Sequence, residues 1–271
     1  MSSLPDLPAD PQALVALART IAEEVATRLV ASLDGAGPAI STKSSPTDLV
    51  TEMDTWAEAH ITERLLSARP NDGVLGEEGA NISGSSGVTW SVDPIDGTVN
   101  FVHGLPGFCV SIAAQVAGQS VAGVVVSPLH HDVFEATVGG GATRNGRAIR
   151  SATPDSVSRC VVGTGFGYDP ERRRRQADVL TQVIPRIADI RRGGAAAVDL
   201  CSVACGRLDA YWEVGLNPWD HAAGGLIATE AGAKVGTLDG SAPSNRFLLA
   251  APPALWDQFV TLLSDADAAA V

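Results

Sequence analysis

Apolar residues recur at three- and four-residue intervals near the start of the chain. Leu14, Leu17, Ala18, Ile21, Val25 and Leu29 form one such stripe and predict an amphipathic helix. Asp10 followed by Pro11 supplies a capping side chain and a pre-set first helical position. The stretch DGAGP, 34–38, should stop that helix. A second helix is expected from Thr51 to Ala68, with Ala57, Ile61, Leu65 and Ala68 on one face. A short strand, GVL, then leads to a loop punctuated by Gly and Asn around 79–87.

From Phe108 to Ile149 the pattern changes to strands. CVSIAAQV, VAGVVV and VFEATV are separated by AGQS and SPLHHD, which predicts an antiparallel meander. Beyond residue 150 strands and helices alternate. CVVGTG reads as a strand and Pro170–Ile190 as a helix broken near Pro185. Ala195–Cys205 reads as a helix ended by Gly206, LDAYWEV as a strand, Asp220–Ala231 as a helix ended by Gly232, and FLLAAP as a strand. Residues 1–9 read as a disordered tip, 10–150 as an α+β lobe and 151–266 as an α/β lobe.

Composition narrows the class. The 271 residues are 45% hydrophobic but only 5% aromatic, so Ala, Val, Leu and Ile must build the core. A net charge of −12 disfavours nucleic acid and anionic membranes as partners, and makes a phosphate ligand plausible only with cations between. The N-terminus lacks the basic and apolar regions of a signal peptide, and no apolar run reaches membrane-spanning length. A cytoplasmic protein with reduced thiols is the expectation. Cys109, Cys160, Cys201 and Cys205 lack zinc spacing and read as buried small apolar residues.

The chemistry lies in the acidic residues. Asp93 and Asp96 stand three apart in SVDPIDGTVNF, within a stretch that has no Lys or Arg between Arg69 and Arg144. Leu208 to Ala233 is likewise free of both. Pro94 biases Asp93 towards extended backbone, and Gly97 permits a sharp bend. Asp93, the Ile95 carbonyl and Asp96 can then converge as hard oxygens suited to magnesium, while the Gly97 and Thr98 N–H groups face forward as an anion cradle. Two carboxylates ~4 Å apart repel by about 4 kcal/mol at an effective dielectric near 20, so such a site calls for positive charge from outside the chain. Further carboxylates lie in GEEG (76–79), WD (219–220) and KSSPTDLVTEMD (43–54), and Glu213 stands at a strand end. Taken singly, Asp93 and Asp96 are also turn residues, Asp220 a helix cap, and Glu213 a solvated strand end. Asp54 reads equally as a capping-box residue with Thr51 and as a metal ligand.

KSSPTDLVTEMD, GEEG, DPIDGTVNFVHGLP and WDHAAGGLIATEAGA, in that order, resemble the inositol monophosphatase family of magnesium-dependent, lithium-sensitive phosphatases. The resemblance implies a layered α-β-α-β-α sandwich of the sugar phosphatase type and a homodimer. It also implies two or three Mg2+ ions and hydrolysis of inositol 1-phosphate by a metal-activated water. Glu77, Asp93 and the Ile95 carbonyl would hold the first ion. Asp93, Asp96 and Asp220 would hold the second, and a third would touch Glu77. Thr98 with Glu77 would orient the water, and Asp54 would join the catalytic set. Gly97 and Thr98 would hold the phosphate. RRGGAAAVDLC resembles the family's alcohol-binding segment: Gly194 and Ala196 match, whereas Ala195 stands where Ser or Thr is usual. Glu213, Asp96 and Asp220 complete the substrate set.

The resemblance leaves open histidinol phosphate, fructose 1,6-bisphosphate, NADP or phosphoadenosine phosphate as substrate, or a regulatory role without turnover. VGTGFGYD lacks the spacing of a dinucleotide fingerprint, because Tyr168 stands where a glycine is needed. GGGA at 139–142 reads as a turn, Arg172–Arg175 as a solvated helix end, and His103, His130 and His131 as surface or loop residues.

Overall fold

The computed structural model describes residues 7–33, 40–43 and 49–271. The expected tip at 1–6, the helix stop at 34–38 and residues 44–48 of the Lys43–Asp54 motif lie outside them. The first half comprises α1 (Pro11–Leu33), β1 (Ile40–Thr42), β2 (Leu49–Thr51), α2 (Glu52–Ala68), β3 (Gly73–Gly76), β4 (Asn81–Ile82), β5 (Val88–Asp96), α3 (Thr98–Val102), β6 (Cys109–Val116), β7 (Gln119–Ser127), β8 (Asp132–Thr137), β9 (Gly141–Arg144) and β10 (Arg147–Ala148). The second half comprises β11 (Val161–Thr164), α4 (Pro170–Val183), β12 (Asp189–Arg191), α5 (Ala196–Ala204), β13 (Ala210–Glu213), α6 (Pro218–Glu230), β14 (Lys234–Gly236), β15 (Leu248–Ala251) and α7 (Trp256–Asp265).

β1 and β2 pair as a small antiparallel ribbon. Eight strands form one sheet in the order β10-β9-β8-β7-β6-β5-β3-β4, and five form another in the order β12-β11-β13-β15-β14. Alternation along the strands decides what packs where. In β6, Val110, Ile112 and Ala114 join a core with α1 and α2. Cys109 and Ala113, on the opposite face, join a second core with α5 and α6. Tyr211 of β13 with Leu248 and Ala250 of β15 close that second core from the other side. Their neighbours Ala210, Trp212, Leu249 and Ala251 face a third core with Val179 of α4 and Phe259 of α7. Three helix layers therefore alternate with two sheets, the expected α-β-α-β-α sandwich.

The meander expected from Phe108 to Ile149 forms as β6 to β10. The chain departs from expectation elsewhere. α4 stops at Val183, and residues 184–186 tighten into a 3-10 turn at Pro185, which has no N–H to continue the ladder. Residues 189–191 are then an edge strand parallel to β11, not the end of a helix. β14, α7 and the β1–β2 ribbon were unforeseen. Leu7 and Ala9 pack, partly buried, against the first core.

Candidate active site

β3 and β5 are parallel neighbours with Gly76 opposite Val92, and the Glu77 N–H donates to the Val92 carbonyl (3.3 Å). Glu77 and Asp93 thus leave adjacent strand ends side by side. A bulge between Asp93 and Asp96 then adds one residue to β5 against β6 and turns both carboxylates towards the same side. The Ile95 N–H donates to Asp93 Oδ1 (3.1 Å). Gly97 follows in the left-handed region (φ 91°) and opens α3. A Cβ there would lie 3.0 Å from the Gly107 carbonyl oxygen and 3.1 Å from Ala195 Cβ, so the close approach needs glycine.

α6 carries Asp220 in from the second half. Its cap is Asn217, and Asp220 is the third helical residue, accepting the Asn217 N–H at Oδ2 (2.6 Å). The expected cap role for Asp220 itself is corrected: Pro218 takes the first helical position and moves the start back. One oxygen each from Glu77, Asp93 and Asp220 lie within 4.8 Å of one another. Burial, and then the charges of Glu77, Asp96 and Asp220, push the Asp93 carboxyl far above its usual range. Burial and Asp96 do the same to Asp220. Asp96 is held up at about 8 by burial, against the opposing Ala197 N–H bond. Crowded carboxylates, all hard oxygen donors without nitrogen or sulfur, fit a magnesium centre.

Asp96 sits beside this trio and not within it. Its Oδ1 accepts the Ala196 N–H (3.2 Å) and its Oδ2 the Ala197 N–H (2.7 Å). The N-cap of α5, Ala195, offers no side-chain cap, so Asp96 caps the helix from a hundred residues upstream.

Of the two readings left open for Asp54, the structure shows the cap. Its Oδ2 accepts the Thr51 N–H and Oγ (both 2.7 Å), closing the capping box of α2, while its Oδ1 accepts the Thr98 hydroxyl (3.3 Å). The same hydroxyl lies 3.1 Å from the Ile95 carbonyl. Glu213 is no solvated strand end. Tyr211 donates its hydroxyl to Glu213 Oε2, and Gly165 leaves room for the carboxylate, since a Cβ there would overlap it. Glu77, Asp93, Ile95, Asp96, Gly97, Thr98, Gly194, Ala196, Glu213 and Asp220 all line one cleft of about 420 Å3. Asp54 lies behind its wall, reaching it through Thr98.

The chain supplies more positive charge here than its spacing suggests. Lys43 Nζ lies 2.9 Å from Glu77 Oε1 and 2.5 Å from Glu78 Oε1, and Arg172 and Arg192 line the cleft. Burial disfavours the Lys43 ammonium, but Glu77 and Glu78 outweigh it and raise its pKa. The expectation of a site wholly without its own cations is therefore corrected. So is the solvated Arg172–Arg175 run, in which Arg172 faces the cleft and Arg173 Nε donates to the Gly167 carbonyl (2.7 Å). Sequence reasoning also missed Glu58. Its carboxylate accepts the N–H groups of Glu78 (2.7 Å) and Ala80 (2.8 Å) and so shapes the GEEG loop. The run of Gly76 against it, with a Cβ position 2.6 Å from Glu58 Cδ, marks that packing. Asp72, in contrast, serves the fold, bonded to Arg69, Ser86 and Trp90.

Residues 7–267 match the profile of the inositol monophosphatase family. The chain belongs to the inositol monophosphatase family. It is 50% identical over 211 residues to an inositol-1-monophosphatase of Mycobacterium bovis, covering 74% of this chain and 72% of the relative. To an inositol-1-monophosphatase of Mycobacterium leprae it is 42% identical over 274 residues, covering 94% of each. The crystal structure of the extragenic suppressor protein suhB of Bartonella henselae superposes with a TM-score of 0.87 at 35% identity, over 93% of this chain and 98% of that one. As a member of this family the protein is a phosphatase. Among the described residues no helix is long and apolar enough to cross a membrane.

Proposed function

We propose that the protein is a magnesium-dependent phosphomonoesterase that hydrolyses inositol 1-phosphate to inositol and phosphate. The observation that carries this reading is the trio Glu77, Asp93 and Asp220, converging within 4.8 Å at one end of a cleft that also holds Thr98 and Glu213. The two mycobacterial relatives named for this activity support it. Glu77, Asp93, the Ile95 carbonyl, Asp96 and Asp220 would hold two or three ions. Bound magnesium would supply charge neutralisation for the phosphate and a water of lowered pKa.

The remaining work falls to side chains and backbone of the chain. Thr98, its hydroxyl held by Asp54, would orient the attacking water together with Glu77. Gly97 and Thr98 would cradle the phosphate through their N–H groups. Glu213, Asp96 and the Gly194–Ala196 segment would read the ring hydroxyls; an alcohol lacking them would leave buried carboxylates unpaired, which discriminates strongly. Phosphate release from inositol 1-phosphate, with and without magnesium, tests the reading. No release at any magnesium concentration would refute it.

A second reading, an ester with a further phosphate such as fructose 1,6-bisphosphate, is favoured by one observation. Arg172 and Arg192 both lie on the cleft wall near Glu213. A guanidinium so placed suits a phosphate remote from the scissile one. A panel of inositol 1-phosphate, histidinol phosphate, fructose 1,6-bisphosphate and NADP ranks the substrates.

A further inference from the structure

Asn100 belongs to α3, only two residues beyond Thr98, yet its amide bonds backbone and none of the carboxylate trio. It is 8% exposed. Nδ2 donates to two carbonyls, that of Gly107 (3.0 Å) and that of Gly193 (2.9 Å). The first closes the loop that follows α3. The second reaches 93 positions along the chain, to the turn that enters α5.

Glycines crowd this amide. A Cβ at Gly194 would lie 2.9 Å from Asn100 Nδ2, and one at Gly107 3.2 Å from it. Both glycines have φ of +98°. The seam between the two segments is thus packed backbone to backbone, with Asn100 as the side chain that bonds both. Asp199 packs against the same turn, its Oδ1 2.3 Å from the place a Cβ at Gly193 would take. Immediately after it come Ala196 and Ala197, whose N–H groups bond Asp96.

We infer that Asn100 is a positioning residue, locking the Gly193–Gly194 turn onto the Gly97–Gly107 segment and so aiming the Ala196 and Ala197 N–H groups at Asp96. Glu77 follows β3, Asp93 lies in β5 and Asp220 in α6, and no hydrogen bond among the described residues ties them to this turn. Loss of Asn100 should therefore disturb the alcohol end of the cleft and spare the carboxylate trio. Outer partners of this kind are typically worth about 10- to 100-fold in activity.

Two measurements test it on the full chain. The first is hydrogen exchange of the free protein. In Asn100→Ala and in the isosteric Asn100→Asp, which has no N–H to donate, amides in 194–200 should exchange at least about tenfold faster. Those of β6 to β8 should be unchanged. Asn100→Ser, which keeps one donor, should fall between. Unchanged exchange in 194–200 overturns the inference. So does loss of cooperative unfolding in all three variants, because Asn100 would then support the whole fold.

The second measurement rests on the proposed activity. It is the ratio of kcat/KM for inositol 1-phosphate to that for p-nitrophenyl phosphate, which does not depend on the fraction of protein folded. The ratio should fall about tenfold or more in Asn100→Ala. A ratio that stays constant overturns the inference. Failure of the unsubstituted protein to hydrolyse inositol 1-phosphate would instead sink the proposed activity, and leaves the exchange result to decide the role of Asn100.

Discussion

Asp93 and Asp132 are both 1% exposed, yet the chain treats them in opposite ways. Asp132 is met by two guanidinium groups, Arg144 Nε at 2.6 Å and Arg207 Nη1 at 2.7 Å. Burial alone would raise its pKa, but the two arginines outweigh that and hold it below the usual range. Asp93 meets other carboxylates instead and is driven well above that range. The chain can therefore neutralise a buried carboxylate where only the fold is at stake. At the cleft it withholds arginine from Asp93, which leaves room for a charge that can exchange with solvent.

The largest effect should come from removing charge at the cleft. Asp93→Asn should lose roughly 10^3-fold or more in magnesium-dependent turnover, the upper end for one preorganised electrostatic partner. It should keep its fold and, without metal, unfold no lower than the parent, since a repulsion is relieved. Retained turnover, or a sharp fall in Tm, would erase the contrast with Asp132. The converse change, Asp132→Asn, should leave kcat nearly intact and cost about 2 kcal/mol, measured by urea unfolding. That is below the full cost of breaking a buried pair, because both arginines keep access to water.

Proton linkage sharpens the comparison. Asp96 at about 8 and Asp199 at about 7, each raised by burial, have folded pKa values above their unfolded ones. Protons are therefore bound more tightly in the folded state, and that stability is present at low pH and lost as pH rises through 7 to 8. Metal-free protein should melt lower at pH 8 than at pH 6, and magnesium should raise Tm more at pH 8. Thermal scans with and without magnesium check this. Asp132 acts in the other direction: its contribution is present above about pH 4 and lost in acid. The smallest effect concerns Lys43. Its ammonium sits where added positive charge would be felt, so Lys43→Ala should tighten magnesium binding a few-fold by calorimetry, on the order of 1 kcal/mol.

The acidic half of the cleft was legible because its residues lie in short motifs whose backbone chemistry is local. Pro94 and Gly97 announce a bend, and the run CVSIAAQV announces a strand. The cationic half was not. Lys43 and Arg192 are brought in by a ribbon and a turn whose placement depends on packing far along the chain, and spacing carries no trace of it. Glu58 and Asn100 were hidden for a related reason. A helix residue that bonds a distant backbone group has no periodic signature of its own; only the neighbouring glycines, Gly76 for one and Gly107 and Gly194 for the other, hinted at close approach. α7 escaped notice although Trp256, Phe259, Leu262 and Leu263 repeat at helical spacing, because Pro252 and Pro253 precede it and mask its start.

Because α5 borrows its cap from Asp96, its first turn has no local means of satisfying its N–H groups until the bend after β5 exists. That couples the order of folding across the chain. The second sheet's inner helix must wait for the first sheet, so refolding should be slow and governed by contacts a hundred residues apart, and a fragment starting near residue 151 should fray at Ala196.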